Sequence, residues 1–341
     1  MIDRVLLASP RGFCAGVDMA IKALTWMISA FSPPVYCYHE IIHNQKVVRR
    51  FEEAGVVFVD DIAEVPSGRP IMLSAHGSAP EVVRSAREHG GYVVDAVCPL
   101  VTKVHHEVKT RAAKGYQIVY VGHEGHEEAV GTMAVAPEAI HRVEDARGVA
   151  ALPEFTEPVA ILAQTTLSHR EWEDVLDLTR RRFPDLWQPG ISDLCFATTN
   201  RQSAMMEIAP ECDAVLVIGS ANSSNTQSLA LLAAEAGCRR VLRINDASDI
   251  PDDLAGTIGV TAGASAPEEL VRGVIERLDP VHGVREVTVV DEDEYFPPPR
   301  NLRELLRAIE SAAVITLGAG TEGREPLNDR LINASDLLDA L

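Results

Sequence analysis

Residues 71–80 read Ile-Met-Leu-Ser-Ala-His-Gly-Ser-Ala-Pro, and the arrangement returns at residues 258–267 as Ile-Gly-Val-Thr-Ala-Gly-Ala-Ser-Ala-Pro. A related phrase precedes each, Val-Asp-Asp-Ile-Ala-Glu-Val-Pro at 59–66 and Ile-Asn-Asp-Ala-Ser-Asp-Ile-Pro at 244–251. A weaker middle copy runs from Val143 to Thr166. The equivalent prolines Pro66, Pro153 and Pro251 are 87 and 98 residues apart. This period is too long for a solenoid unit, so each copy is expected to be a small domain.

Within each copy, short apolar runs alternate with helical patterns. One such pattern follows the i, i+3, i+4, i+7 rule of an amphipathic helix at Val17, Ala20, Ile21, Leu24, Met27 and Ile28. The alternation predicts an α/β fold with buried parallel strands. We expect three pseudo-repeated α/β lobes, at residues 15–97, 98–194 and 195–280, which residues 1–14 and 281–303 complete. Ligands of open α/β sheets gather at the carboxyl ends of strands, so the three lobes are expected to share one central site.

The remaining residues, 304–341, form a C-terminal extension to which the sequence assigns no role. Its pattern predicts a helix, a strand at residues 314–318 and another helix.

Composition excludes several classes of protein. The chain has 31 basic and 50 acidic residues, a net charge of −19, which argues against binding to nucleic acid through its phosphates. The first ten residues do not read as a signal peptide. No apolar run approaches the roughly 18 residues that a membrane span requires. We therefore expect a cytoplasmic protein without a membrane or nucleic-acid partner.

Polar clusters follow the apolar strands in matching phase. His43, His126 and Asn225 are 83 and 99 residues apart, and His76, Thr165 and Ser265 are 89 and 100 apart. Where strands pass into helix N-termini, such side chains and free backbone N–H groups suit a phosphate or diphosphate. Taken singly, each serine, threonine or asparagine also reads as a helix cap, and each histidine as a buried or surface histidine without a ligand.

Three of the six cysteines share this register. Cys14, Cys98 and Cys195 are 84 and 97 residues apart, and each precedes a predicted helix whose N-terminus favours the thiolate. Three thiolates without a fourth suit a 4Fe-4S cluster with one iron open to substrate. Structural zinc, which usually takes four ligands in closely spaced pairs, is the less favoured alternative. The other cysteines, Cys37, Cys212 and Cys238, are expected to be core residues.

Residues 39–43 read His-Glu-Ile-Ile-His and match the metalloprotease pattern. That chemistry requires both histidines on one face of a helix. Here a strand is predicted just before the pattern, and Asn44 is the expected cap of the following helix. The pattern therefore does not indicate a protease.

Nine motifs together carry a family resemblance. They lie at residues 10–18, 42–44, 74–77, 95–105, 122–126, 131–133, 164–168, 223–225 and 261–267. With these motifs the chain, from residue 3 to about residue 303, resembles the hydroxymethylbutenyl diphosphate reductases, which end the methylerythritol phosphate route to isoprenoids.

The resemblance implies a 4Fe-4S cluster on Cys14, Cys98 and Cys195, and a two-electron, two-proton reaction that yields isopentenyl and dimethylallyl diphosphate. It places the proton-delivering role on Glu128 and puts Thr165 near the substrate hydroxyl. It also implies reduced ferredoxin or flavodoxin as the electron donor. The diphosphate would be bound by His43, His76, His126, Ser223, Ser224, Asn225 and Ser265.

Three positions depart from the family pattern: Met19 stands for arginine, Glu127 for proline and Ala134 for glycine. None removes a cluster ligand or the acid, so rate and packing are the properties in question. Two other functions fit the residues. A cluster-dependent hydro-lyase also needs three cysteines but no electrons, and a diphosphate-binding or iron-sensing module binds without turnover.

Overall fold

The structure is a computed structural model, and it describes residues 1–317 and 328–341. Its strands in this part of the chain are β1 (Ile2–Ser9), β2 (Val35–Tyr38), β3 (Val56–Val59), β4 (Pro70–Leu73), β5 (Tyr92–Asp95), β6 (Gln117–Val121), β7 (Ile140–Val143), β8 (Val159–Ala163), β9 (Ala214–Ile218), β10 (Val241–Ile244), β11 (Gly256–Ala262) and β12 (Val284–Thr288). The helices are α1 (Ala15–Ala30), α2 (Gln45–Glu53), α3 (Pro80–His89), α4 (Pro99–Ala113), α5 (Glu127–Met133), α6 (Ala146–Ala151), α7 (His169–Arg182), α8 (Phe196–Ile208), α9 (Ser224–Glu235), α10 (Glu268–Leu278), α11 (Arg300–Leu317) and α12 (Ala334–Asp339).

The strands form three parallel sheets, which confirms the α/β fold class. The sheet orders are β3-β2-β4-β5, β7-β6-β8 and β10-β9-β11-β1-β12, and each pairing is parallel. All three sheets contain the same three-stranded arrangement, in which the first strand of a repeat lies between the second and the third. The sequence repeat is therefore visible as a repeat of topology.

Buried apolar strands account for the parallel pairing. The runs Ala-Val-Leu-Val-Ile of β9 and Val-Ala-Ile-Leu-Ala of β8 are buried at every residue. In the five-stranded sheet, alternate residues pack on opposite faces, with Val5 and Leu7 in one core and Leu6 and Ala8 in the other. Helix α10 covers the first face, and α8 and α9 cover the second. Strands covered on both faces read as continuous apolar runs, as the sequence does.

The chain divides into two compact units. The first comprises residues 1–14, 76–80 and 99–293, with the three-stranded and five-stranded sheets, and the second comprises 15–75, 81–98 and 294–341, with the four-stranded sheet. Each predicted lobe contains one of the three strand repeats. The second and third repeats lie together in the first compact unit, and the first repeat lies in the second unit. The lobe boundaries at residues 97 and 194 stay a prediction.

The strand predicted at residues 314–318 is wrong as far as Leu317, because α11 continues to that residue. Ile315 is 83% exposed, and Thr316 Oγ1 donates to Ala312 O at 2.7 Å, a bond to the preceding helical turn. β-Branched residues favour a strand only where a sheet covers them, and exposure removes that preference. Gly318 lies outside the described residues.

The last helix of the extension, α12, belongs to the second unit and packs against α1. Its first residue, Ala334, is fully buried and donates its N–H to Asp18 Oδ1 at 3.1 Å. Lys22 joins the same contact, because its Nζ lies 2.5 Å from Asp18 Oδ2 and donates to Asp329 O at 3.0 Å. The extension is thus anchored to the helix that follows Cys14.

Across residues 1–317 and 328–341, no helix combines the length and the apolar character that a bilayer span requires.

Candidate active site

The candidate site of the first unit lies where strands end. The polar clusters at 122–128, 164–166, 219–225 and 263–265 directly follow β6, β8, β9 and β11. β6 and β8 are parallel in one sheet and β9 and β11 in another, so within each sheet the two carboxyl ends lie at the same edge. The sequence prediction of strand-end clusters is confirmed for this unit.

The N-terminus of α9 forms the first part of the site. Ser223 caps the helix, because its Oγ accepts the Thr226 N–H at 3.3 Å, so the capping interpretation is correct for this residue. Asn225 Oδ1 accepts the Ala264 N–H at 2.9 Å, which joins α9 to the loop that carries Ser265. Asn225 is 3% exposed, and its Nδ2 has no hydrogen-bond partner within the described residues. A buried amide donor left open in this way suits an anion.

Two glycines allow α9 to approach the sheet this closely. A Cβ on Gly219 would lie 2.3 Å from Thr226 Oγ1, and one on Gly263 would lie 2.2 Å from the same atom. Gly219 also has a φ of 153°. The glycines at the ends of β9 and β11 therefore let Ser223, Ser224 and Asn225 come next to the loop of Ser265.

Glu128 and Thr165 form a buried pair. Thr165 donates its N–H to Glu128 Oε1 at 2.7 Å and its hydroxyl to Oε2 at 2.8 Å. Burial raises the pKa of Glu128 to about 7, against the opposing effect of these two bonds. The carboxyl group thus carries a proton in a substantial fraction of molecules at neutral pH, as a general acid requires.

Two histidines lie beside this pair. His126 caps α5, with Nδ1 accepting the Glu128 N–H at 3.2 Å, so its Nε2 carries the ring proton when the imidazole is neutral. The ring of His76 lies 6.2 Å from that of His126, and His76 Nδ1 is 2.8 Å from Glu127 Oε2. The unusual Glu127 therefore contacts a predicted diphosphate ligand.

Cys195 is joined to the Glu128–Thr165 pair through the backbone. Its N–H donates to Thr165 O at 2.9 Å, and its Sγ caps α8 by accepting the Thr198 N–H at 3.2 Å. Burial and the nearby Cys14 raise the pKa of Cys195 to about 12. The N–H of Thr198 at the helix start acts in the opposite direction and favours the thiolate, as expected, but desolvation is the larger effect and leaves the thiol preferred in the metal-free protein. A bound metal would reverse this preference by displacing the proton.

Cys14 is tied to the other part of the site. Its N–H donates to Ala264 O at 3.2 Å, and Ala264 is the residue whose N–H Asn225 accepts. The first unit therefore brings together Cys14, Cys195, the Glu128–Thr165 pair and the start of α9.

His43 and Cys98 belong to the second unit. Cys98 directly precedes α4, as predicted, and its N–H donates to Ala75 O at 3.0 Å. His43 follows β2, and Asn44 caps α2 by accepting the N–H groups of Lys46 and Val47. The stretch 39–43 is not helical, so its protease pattern lacks the required geometry and the prediction against that reading is confirmed.

The remaining cysteines are placed as predicted. Cys37 is fully buried in β2, Cys238 is 5% exposed, and Cys212 packs against the core that contains Cys238.

Of the other departures from the family pattern, Met19 is buried in α1, and Ala134 is the C-cap of α5.

Arg201 is a functional candidate that sequence reasoning missed. It is 1% exposed, and its guanidinium donates to Gly12 O at 2.8 Å, to Phe13 O at 3.1 Å and to Ala197 O at 2.9 Å. It also pairs with Glu292 at 3.1 Å. Arg201 thus joins the loop before Cys14 to the helix after Cys195. An arginine within a helical pattern gives no sign in the sequence of such burial.

We expect Arg201→Met to lower the free energy of unfolding by about 3–5 kcal/mol, because Glu292 and three carbonyls lose their donor. Denaturant unfolding of the metal-free protein measures this. The matched control is Arg277→Met, which removes an exposed pair with Asp252 and should stay close to wild type. Equal stability of the two variants would contradict the role given to Arg201.

The comparisons with known protein families, sequences and structures all point to the same family. The profile of the LytB protein family matches residues 5–279. The chain is 47% identical over 309 residues to 4-hydroxy-3-methylbut-2-enyl diphosphate reductase 1 of Mycobacterium bovis, which covers 88% of this chain and 91% of the relative. It is also 47% identical over 322 residues to the reductase of Rhodopirellula baltica, covering 91% and 98%.

Among solved structures, the chain is similar to the E-1-hydroxy-2-methyl-but-2-enyl-4-diphosphate reductase from Plasmodium falciparum. The TM-score is 0.87 at 29% identity, and the match covers 91% of this chain and 100% of the other.

Proposed function

Because this chain belongs to the LytB family, we propose that it removes the allylic hydroxyl of (E)-4-hydroxy-3-methylbut-2-enyl diphosphate at a site built from the residues described above. The chain is an oxidoreductase of the non-mevalonate route to isoprenoids. Two electrons and two protons are consumed, water leaves, and the products are isopentenyl and dimethylallyl diphosphate. The cytoplasm is the proposed location, and reduced ferredoxin or flavodoxin the proposed donor.

The observation that carries the proposal is the hydrogen-bond linkage at the strand ends. Cys195 is bonded to Thr165, and Thr165 to Glu128, while Cys14 and Asn225 both bond Ala264. The first linkage supports a thiol beside the proposed proton donor, and the second supports a thiol beside the proposed anion site, both within the first unit.

The residues fit a 4Fe-4S cluster as the cofactor. Cys14 and Cys195 lie close enough for the charge of one to raise the pKa of the other, and soft thiolates are the ligands that such clusters take. With Cys98 as the third ligand, the cluster would supply the electrons and an iron position for the hydroxyl oxygen. Neither Cys14 nor Cys195 lies in a closely spaced pair, which argues against structural zinc.

The protein's own residues orient the substrate and supply the proton. The donors at the start of α9, with Ser265, His76, His126 and His43, would hold the diphosphate, since the net charge of −19 gives no general attraction to an anion. Protonated Glu128 can pass its proton to the Thr165 hydroxyl, which in turn donates to the leaving oxygen. Proton delivery at either end of the resulting allyl fragment accounts for two products.

The proposed function is tested by anaerobic assay of the reconstituted protein with the hydroxymethylbutenyl substrate. We expect both isomers, formed only when a reduced donor is present. Turnover without reductant would indicate a hydro-lyase, and substrate binding without turnover would indicate a binding or sensing module.

A further inference from the structure

Ser224, at the start of α9, is contacted by two side chains that belong to other elements of the first unit. Its Oγ lies 3.3 Å from His123 Nδ1 and 3.3 Å from Thr166 Oγ1. Thr166 Oγ1 accepts a hydrogen bond from Gln164 Nε2 at 2.8 Å, so the Thr166 hydroxyl hydrogen is directed to Ser224. The other ring nitrogen of His123, Nε2, lies 3.3 Å from Glu171 Oε1.

We propose that His123, held by Glu171, is a positioning residue that directs the hydroxyl hydrogen of Ser224 toward the bound diphosphate. The inference rests on the proposed function, because it takes Ser224 as a ligand of the diphosphate.

The hydrogen bonds that Ser224 can make depend on the protonation state of His123. A serine hydroxyl has one hydrogen to donate and two positions at which it accepts. Thr166 fills one accepting position. A His123 protonated on both nitrogens fills the second through Nδ1–H, so the single hydrogen of Ser224 is left for a phosphate oxygen. A neutral His123 with its proton on Nε2, facing Glu171, accepts at Nδ1 and takes that hydrogen instead.

The surroundings of His123 favour the protonated form. The hydrogen bond with Glu171 raises the pKa of His123, against partial burial. Glu144, after β7, acts in the same direction, whereas Arg142 of β7 opposes it. Glu128 of α5 also faces His123, whose charge acts to lower the pKa of Glu128. Burial opposes ionisation of Glu171, but its bonds with His123 and Ser168 lower its pKa to about 2.

The charge of His123 has a second effect on an anion. The six strand-end clusters, at residues 38–44, 75–78, 122–128, 164–166, 219–225 and 263–265, contain histidine, serine, threonine and asparagine but neither lysine nor arginine. Positive charge from these clusters must therefore come from imidazolium groups. A protonated His123 next to Ser224 supplies one, and its loss at high pH removes both the charge and the donated hydrogen.

The test measures the affinity of the anaerobic holoenzyme for inorganic pyrophosphate by calorimetry between pH 6 and pH 9. Because pyrophosphate itself titrates, wild type and variants are compared at each pH. At pH 6 we expect His123→Gln to bind about 10-fold or more weakly, the effect of losing a hydrogen bond to a charged group. The difference should shrink as the pH rises through the raised pKa of His123.

A second variant separates charge from structure. Glu171→Gln removes the carboxylate that stabilises the imidazolium, so the pH at which wild-type affinity falls should move to a lower value. The matched control is His169→Gln, at a histidine that is 62% exposed and lies near Glu173, which should leave the whole pH profile unchanged.

The outcomes distinguish this inference from the function on which it rests. Failure of wild type to bind pyrophosphate at any pH overturns the diphosphate site and the inference with it. If wild type binds pyrophosphate and His123→Gln binds it equally tightly at pH 6, the role of His123 is overturned while the diphosphate site stands. If His123→Gln does not fold, Glu171→Gln decides the matter, since an unmoved pH midpoint contradicts the proposed role.

Discussion

Glu128→Gln should assemble the cluster and bind substrate, yet lose about 10²-fold or more in turnover, because general acid catalysis typically contributes 10²–10⁴-fold. Glutamine keeps the shape of the side chain but has no acidic proton to give. Its single amide oxygen can accept the Thr165 N–H, which Glu128 Oε1 accepts at 2.7 Å, and its NH2 group can donate to the Thr165 hydroxyl oxygen, which lies 2.8 Å from Glu128 Oε2. The side chain is therefore expected to stay in place, so that the loss reflects the missing proton.

The pH dependence gives the same prediction a second readout. A carboxyl group with a pKa of about 7 is protonated below that pH and loses its proton above it. Wild-type turnover should therefore fall as the pH rises through about 7, and the residual turnover of Glu128→Gln should lack this limb. Steady-state assay under anaerobic conditions measures both quantities.

The control for Glu128 requires care, because the neighbouring glutamate is not inert. Glu127 contacts His76 at 2.8 Å, so its substitution is expected to affect diphosphate binding. The exposed Glu138, in the segment after α5, is the better match, and Glu138→Gln should stay near wild type. If Glu128→Gln and Glu138→Gln behave alike, Glu128 is not the proton donor.

Replacement of Cys14, Cys98 or Cys195 by serine should abolish the brown colour, the acid-labile sulfide and the activity. Serine offers a hard oxygen in place of the soft thiolate that the cluster prefers. For Cys195 the exchange is especially informative, because its Sγ caps α8 and serine is a favoured cap. The helix is thus preserved while the ligand is lost.

The other three cysteines supply the controls for this prediction. Alanine at Cys37, Cys212 or Cys238, which pack in or beside apolar cores, should keep iron and sulfide at wild-type content, with some loss of stability. Iron and sulfide analysis after anaerobic reconstitution measures the difference. A full cluster in Cys98→Ser would contradict the assignment.

The sequence was sufficient for the fold class, parallel strands in repeated α/β units, because the repeat and the apolar runs are local signals. The phrases at residues 71–80 and 258–267 correspond to β4 and β11, each beside the first strand of its repeat. The strand predicted near residue 315 failed for a physical reason. β-Branched residues there meet solvent rather than a sheet, and β-propensity depends on that packing.

For the site, residue type and register were enough to nominate the cysteines and the α9 cluster, and the family resemblance nominated Glu128, but none of these signals indicated the partners of those residues. The contacts of Arg201, Glu171 and Gln164 join residues that are distant in sequence. A single amino-acid sequence does not show which distant residues meet in the fold. The raised pKa of Cys195 was missed for the same reason, because burial is a property of the fold.

The central claim, a cluster on three cysteines with one iron open to substrate, is tested most directly by Mössbauer spectroscopy of protein reconstituted with ⁵⁷Fe. We expect four irons per chain, of which one gives a distinct signal that changes when the hydroxymethylbutenyl substrate is added. Four irons that do not respond to substrate, or a site without sulfide, would contradict the claim.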